Sequence, residues 1–134
     1  MSIAVDTNVL VRYLTWDDEA QAEATTGVIE SGEIIAISTI VLCELAWVLK
    51  RAYRYRTNEI ADAIRRVATS RNVDVDRQAA EAGLGMLARG GDFADGIVEN
   101  DATRARCRHI VTFDRDFARL LDPDGVVLLG VEQP

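Results

Sequence analysis

The sequence contains few of the residues that build zinc, disulfide or membrane-spanning structures. Its 134 residues include two cysteines, Cys43 and Cys107, and one histidine, His109. The cysteines lack the spacing of a zinc site or a disulfide framework, which favours a reducing compartment such as the cytoplasm. The longest mostly apolar stretch, Ile34 to Cys43, ends at Glu44, well short of the ~20 residues that a membrane span requires. No secretory signal is recognisable at the start, so we expect a soluble, cytoplasmic protein that does not associate with membranes.

Positive charge is also scarce, and it is unevenly distributed. The net charge of −7 at first argues against a nucleic-acid partner, because phosphate groups are negative too. Residues 1–33 contain seven acids and one cation, Arg12. Residues 50–71 reverse this balance, with seven cations against two acids. A local basic surface can therefore coexist with an acidic protein.

Short apolar runs alternate with segments of helical periodicity, which predicts parallel strands joined by helices. The predicted strands are a first one ending at Asp6, then Ile34–Ile37, Val73–Val75, His109–Thr112 and Val126–Leu129. The predicted helices are Val9–Leu14, Asp17 or Asp18 to about Ser31, Ser38 to about Tyr53, one from Thr57, one from Asp76 to the Gly90-Gly91 break, Phe93 to about Cys107, and Asp114–Leu121. We predict a single α/β domain over residues 1–134, a three-layer α/β/α sandwich with a central, mainly parallel sheet of four to five strands.

Asp6 closes the first strand, in the sequence Val5-Asp6-Thr7-Asn8. Open α/β sheets bind ligands in the crevice beyond the carboxyl ends of their strands, so this acid lies where a reaction would be placed. The plain alternative is that Asp6 or Asn8 caps the following helix.

Glu44 has only apolar neighbours at three and four positions' distance in its predicted helix: Ile40, Val41, Trp47 and Val48. A buried, unpaired carboxylate is unfavourable, so such an acid needs a cationic partner, a raised pKa or a metal ion. The alternative is that Glu44 reaches solvent at the edge of the helix.

Two further acidic blocks lie in the second half of the chain. Asp92 and Asp95 begin the helix after the Gly90-Gly91 break, and Asp114 and Asp116 follow the strand that ends at Thr112. Helix capping and the helix dipole explain each acid separately.

Together, the four acids indicate a shared site. Asp6 and Asp114 are predicted to end strands, and Glu44 and Asp95 to lie early in helices that follow the same sheet edge, so all four can converge on one cleft. Carboxylates about 5 Å apart repel by roughly 3 kcal/mol per pair at an effective dielectric constant near 20, so convergence on one cleft requires cations or protons. Oxygen-only ligands suit Mg²⁺ or Mn²⁺, which we expect in preference to zinc.

Four blocks together resemble the PIN domain family. They are Val-Asp-Thr-Asn-Val-Leu from residue 5, Ser38 with Glu44 six residues later, Asp-Phe-Ala-Asp-x-Ile from residue 92, and Val-Thr-Phe-Asp-Arg-Asp-Phe from residue 111. More narrowly, the chain resembles the VapC ribonuclease toxins of bacterial type II toxin-antitoxin pairs, from the first strand to about Leu121. The resemblance implies a catalytic tetrad of Asp6, Glu44, Asp95 and Asp114, metal ligands Asp6, Asp95, Asp114 and Asp116, and supporting groups Asn8 and Thr112. It leaves open whether Asp114 or Asp116 is the direct ligand.

The implied activity is Mg²⁺-dependent hydrolysis of phosphodiester bonds in single-stranded or looped RNA, with Mn²⁺ as a substitute. No side-chain nucleophile would be needed, because a bound metal ion would lower the pKa of the water that attacks the phosphorus. The family also implies a homodimer and a cognate antitoxin protein. The alternative function is a catalytically silent PIN-like module that binds RNA or a partner protein.

A phosphoaspartyl protein is the rival from another class, with Asp6 as nucleophile or phosphate acceptor. A dehalogenase-type site requires a second Asp where this chain has Asn8, and a receiver domain requires a lysine on a late strand, whereas Lys50 is the sole lysine. The sequence therefore argues against this rival.

The basic segment, which we define as residues 50–56, interleaves cations with two tyrosines. This pattern suits phosphate contacts and base stacking, so Arg51, Arg54 and Arg56 are the predicted RNA-binding residues. Alternatively, the cations complement a helix dipole and the tyrosines make core, dimer or antitoxin contacts.

Overall fold

Five short strands alternate with seven helices over residues 1–130, the part of the chain that this computed structural model describes. The strands are β1 (Ser2–Ala4), β2 (Ile34–Ala36), β3 (Val73–Asp74), β4 (Ile110–Thr112) and β5 (Val126–Leu128). The helices are α1 (Thr7–Thr15), α2 (Glu19–Ile29), α3 (Thr39–Arg51), α4 (Thr57–Ala68), α5 (Arg77–Ala88), α6 (Phe93–Arg104) and α7 (Arg115–Leu120), with one 3₁₀ turn at Pro123–Gly125. The chain divides into two compact units, Met1–Ala80 and a second that begins at Glu81.

The first unit contains a parallel sheet in which β2 lies between β1 and β3. The register places Ala4 beside Ala36, and Ala36 beside Asp74. These three residues share one face of the sheet. The other face packs into the hydrophobic core, where Ile35 is completely buried and Val73 is 8% exposed. Parallel pairing brings the carboxyl ends of all three strands to one edge.

A helix follows each strand of this sheet, and a polar side chain caps the start of that helix. In each case the capping residue lies two positions after the last paired residue of the strand. Asp6 Oδ1 accepts a hydrogen bond from the N–H of Val9 at 3.3 Å. Ser38 Oγ accepts one at 3.4 Å and Asp76 Oδ1 one at 3.1 Å from the N–H groups three residues further on. The helices α1, α3 and α5 therefore all begin at the same edge of the sheet.

The second unit is built around the parallel pair β4 and β5, which α7 connects. Met86, Phe117 and Leu121 form its buried core. The helices α5 and α6 pack closely because two glycines lie between them: a Cβ at Gly83 would overlap the ring of Phe93, and a Cβ at Gly96 would overlap the carbonyl group of Ala82. Close backbone approach of this kind requires a residue without a side chain.

The predicted α/β class with parallel strands is confirmed, and the element order agrees with the predicted α/β/α fold. The five described strands form a three-stranded sheet and a small two-stranded sheet, rather than the one central sheet that we expected. The first helix begins at Thr7 instead of Val9, because Asp6 acts as its cap. The single domain over residues 1–134 remains a prediction. Among residues 1–130, no helix is both long enough and apolar enough to cross a membrane.

Candidate active site

Asp6 lies between β1 and α1, two residues beyond the end of β1, whereas the sequence predicted it at the last position of the strand. Its backbone is extended, with φ −94° and ψ 178°, so the chain turns into the helix immediately after it. The capping alternative is correct as local structure, since Oδ1 accepts the hydrogen bond from Val9. A cap of this kind fixes the carboxylate through one oxygen and does not use the other.

Glu44 is exposed in the middle of α3, so the alternative in which it reaches solvent is correct and burial on an apolar face is wrong. The physical reason is that two of its four apolar neighbours also face solvent, Ile40 at 67% and Trp47 at 62% exposed, while the other two are half-buried. Glu44 is nevertheless held in place, because its Oε2 accepts a hydrogen bond from Thr7 Oγ1 at 3.2 Å. Thr7 is only 8% exposed and directly follows Asp6. This hydrogen bond ties α3 to the segment that carries Asp6.

Asp95 occupies the third position of α6 and closes a capping box with Asp92. Asp95 Oδ2 accepts from the N–H of Asp92 at 3.4 Å, and the Asp92 side chain accepts from the N–H of Asp95. Asp95 is half-buried, whereas Asp92 is exposed. The predicted positions of both acids at the start of this helix are confirmed.

Asp114 caps α7 directly after β4. Its Oδ1 accepts from the N–H groups of Asp116 at 2.9 Å and Phe117 at 3.0 Å. Its own N–H donates to Thr112 Oγ1 at 3.0 Å, and the supporting role of Thr112 in the site stays a prediction. Asp116 instead points along the helix surface, where its Oδ1 pairs with Arg119 at 2.5 Å. Asn8 is exposed in the first turn of α1.

The predicted tetrad is divided between the two units. Asp6 and Glu44 belong to the first, and Asp95 and Asp114 belong to the second. Across residues 1–130, no three His, Cys, Asp or Glu side chains form a group that could hold a metal ion. Convergence of the four acids on one cleft therefore stays a prediction. Their donor atoms are all carboxylate oxygens, and this chemistry fits Mg²⁺ or Mn²⁺.

The basic segment joins α3 to α4, and Arg51, Arg54 and Arg56 in it are exposed. Arg54 has a positive φ of 55°, so the chain turns sharply between the two helices. The N–H of Arg56 donates to Glu59 Oε1 at 2.9 Å and so begins α4. The three predicted RNA contacts are thus solvent-facing groups on a tight connection.

The tyrosines of this segment make contacts within the protein. Tyr53 Oη donates to Asp17 Oδ2 at 2.5 Å and accepts from Arg12 Nη1 at 3.1 Å. The ring of Tyr55 meets that of Tyr53 edge-on, with centroids 6.5 Å apart. The hydroxyl group of Tyr53 lowers the pKa of Asp17 below its ordinary value and raises the pKa of Arg12. Tyr53 therefore has a structural role, and the RNA-contact prediction depends on the exposed arginines.

Sequence reasoning missed two residues that organise this region. Thr7 holds Glu44, and its position between Asp6 and Asn8 in the first acidic block was a signal that we could have used. Asp17 holds Tyr53 across 36 positions of sequence, and no local pattern indicates such a contact.

The family model described as PIN domain matches residues 3–121 of the chain. The match begins within β1, ends directly after α7 and includes every acid described above. No curated protein matches the chain.

Proposed function

Because the chain belongs to the PIN domain family, whose members are typically nucleases, we propose that it is a divalent-metal-dependent endoribonuclease. The observation that carries this proposal is that a hydrogen bond fixes one carboxylate oxygen of each tetrad acid. The donors are the N–H of Val9 for Asp6, the hydroxyl group of Thr7 for Glu44, the N–H of Asp92 for Asp95, and the N–H groups of Asp116 and Phe117 for Asp114. Metal-ligating carboxylates are typically oriented by such contacts.

The residues proposed to hold the metal are Asp6, Asp95 and Asp114, with Glu44 completing the catalytic set. When bound, Mg²⁺ or Mn²⁺ supplies a Lewis acid that lowers the pKa of water and stabilises charge on the phosphodiester. The chain itself keeps four carboxylates in fixed orientations, which reduces the reorganisation needed when substrate arrives.

Asp114 is the better candidate than Asp116 for direct ligation. Asp114 is held by two backbone N–H groups at the end of β4, with Thr112 supporting the same turn. Asp116 is 88% exposed at its side chain and pairs with Arg119 on the surface of α7. We therefore assign Asp114 to the metal and leave Asp116 as a surface group.

The substrate of the proposed enzyme is RNA, held in part by Arg51, Arg54 and Arg56. Their exposure supports this assignment, since phosphate contacts require cations that face solvent. The likeness to VapC proteins extends the proposal to a cytoplasmic toxin that forms a homodimer and is neutralised by a cognate antitoxin. Arrest of growth when the chain is expressed, and relief when the neighbouring gene is expressed with it, would test that role.

The competing function is a silent PIN-like module that binds RNA or a protein without cutting. The two functions are separated by incubating single-stranded RNA with the purified protein, with Mg²⁺ or with excess EDTA. We expect the parent protein to cleave the RNA in Mg²⁺ and not in EDTA. The variants Asp6→Asn and Glu44→Gln should not cleave it under either condition. Asp62→Asn, which removes an equal charge from an exposed pair with Arg65, is the control and should cut normally. Binding without cleavage by the parent protein would establish the silent module instead.

A further inference from the structure

A cleft of about 440 Å³ opens at the carboxyl edge of the three-stranded sheet. Its volume lies within the range of about 300–1,000 Å³ that is typical of small-ligand sites. The lining comes entirely from the first unit, from the ends of β1, β2 and β3 and the turns that follow them. These residues are Ala4 and Val5, then Ala36 to Thr39, then Asp74 to Asp76.

The floor of the cleft is apolar because small residues occupy matching positions in the register. Ala4 lies beside Ala36, and each presents only a methyl group to this face of the sheet. Ile35 and Val73 point to the opposite face, where they are buried. Ala4 and Ala36 therefore border the cleft with two methyl groups, against which a planar ring can pack.

The rim of the cleft supplies hydrogen-bonding groups. Ser38 and Thr39 line it beyond the end of the central strand β2, while Asp74 and Asp76 line it at the end of the edge strand β3. The carboxylate of Asp76 caps α5, whereas Asp74 lies in register with Ala36 at the end of β3. An ionised carboxylate only accepts hydrogen bonds, so the ligand must present donors to Asp74.

We propose that this cleft binds a guanine base of the RNA substrate, with the carboxylate of Asp74 accepting hydrogen bonds from N1–H and the N2 amino group. Guanine is the RNA base whose Watson–Crick edge carries two adjacent donors, and two adjacent donors match the two oxygens of a carboxylate. Uracil presents one donor between two carbonyl oxygens, which a carboxylate repels. The cleft includes Val5, the residue before Asp6, so a base bound in it would lie near one of the acids proposed to hold the metal. That the guanine belongs to RNA rests on the proposed ribonuclease function.

The test is an NMR titration of the backbone amide signals of residues 36–39 and 74–76 with 5′-GMP, 5′-IMP and 5′-UMP. IMP keeps N1–H but lacks the N2 amino group, and is therefore the matched probe for the second hydrogen bond. We expect GMP to shift these signals and to bind about tenfold or more tightly than IMP or UMP, since a hydrogen bond to a charged group is lost in both.

Two variants test the site itself. Asp74→Asn, at an exposed side chain, should abolish the preference for GMP, and Ala36→Leu should fill the floor and abolish binding of all three nucleotides. Asp62→Asn changes the net charge equally, outside the cleft, and should bind like the parent.

Cleavage mapping separates this proposal from the proposed function. The guanine site would be overturned if the protein cut RNA in Mg²⁺ without preferring guanosine over inosine next to the cut and also bound the three nucleotides equally. The proposed nuclease activity would then stand. A selective GMP site in a protein that cuts no RNA would overturn the nuclease and leave the cleft assignment standing.

Discussion

Thr7 Oγ1 donates a hydrogen bond to Oε2 of Glu44 across 37 positions of sequence, at 3.2 Å. The donor is buried at the start of α1, and the acceptor is exposed in the middle of α3. An exposed glutamate would otherwise sample several rotamers, so this bond restricts where its carboxylate can lie. Thr7 therefore links the orientation of Glu44 to the segment that carries Asp6.

Replacing Thr7 by Val should slow RNA cleavage, because a methyl group takes the place of the hydroxyl group that donates to Glu44. The fold should stay intact, since Val has nearly the same shape as Thr. Water can hydrate the exposed Glu44, so the free energy of unfolding should fall by only about 0.5–1.5 kcal/mol. Cleavage rates and urea denaturation measure the two effects. Thr7→Ser restores the donor and should restore the rate, and parental activity in Thr7→Val would refute the positioning role.

Asp114→Asn should abolish cleavage, whereas Asp116→Asn should preserve it. Asn caps helices about as well as Asp, so the first variant removes the charge while keeping the start of α7. The Asp116–Arg119 pair is highly exposed, and such pairs contribute little to stability. Cleavage assays with melting curves for both variants provide the test, and the reverse pattern of activities would make Asp116 the direct ligand.

The sequence predicted the features of this protein that local chemistry determines. Ser38 and Asp114 cap the helices that they were expected to begin, because a cap depends on residues within one turn. Of the two candidates for the second helix, Asp17 and Asp18, the structure shows Asp18 as the cap. The exposure of Glu44 was not predictable, since periodicity cannot show whether an apolar stripe meets the core or solvent. The pairing of β4 with β5 in a separate sheet also depends on contacts distant in sequence, as does the hydrogen bond between Tyr53 and Asp17.

Gly96→Ala should destabilise the second unit, because the new Cβ would overlap the backbone carbonyl group of Ala82, which cannot move independently of α5. Overpacking of this kind lowers the free energy of unfolding by about 1–3 kcal/mol. Gly85→Ala is the matched control on α5, since nothing lies within 4 Å of the position that its new methyl group would take. That control should stabilise by about 0.4–1 kcal/mol through reduced entropy of the unfolded chain. Urea denaturation compares the two, and equal effects would contradict the close packing of α5 on α6.

Tyr53→Phe should raise the pKa of Asp17 towards its ordinary value, because the hydroxyl group of Tyr53 is the main cause of the lowered pKa. A carboxyl group whose pKa is lowered by folding stabilises the protein above the unfolded value of about 3.9, and this contribution disappears as the pH falls through the lower folded value. The difference in stability between parent and variant should therefore shrink in acid. Carboxyl ¹³C titration of Asp17 measures the shift directly. Tyr55→Phe should leave the titration unchanged, and a parental titration in Tyr53→Phe would contradict the contact.

Charge reversal in the basic segment should weaken RNA binding and reduce its dependence on salt. Arg54 and Arg56 are exposed, and fewer counterions are released on binding when phosphate contacts are lost. The measurement is an RNA titration at several salt concentrations with Arg54→Glu and Arg56→Glu combined, in an Asp6→Asn background so that the RNA survives. Arg106→Glu with Arg108→Glu makes the same change in net charge at exposed residues outside residues 50–71 and outside the cleft, and should have a smaller effect. If both double variants lose the same amount of RNA affinity and of its dependence on salt, only the overall charge matters. Residues 50–56 would then not form the RNA-binding surface.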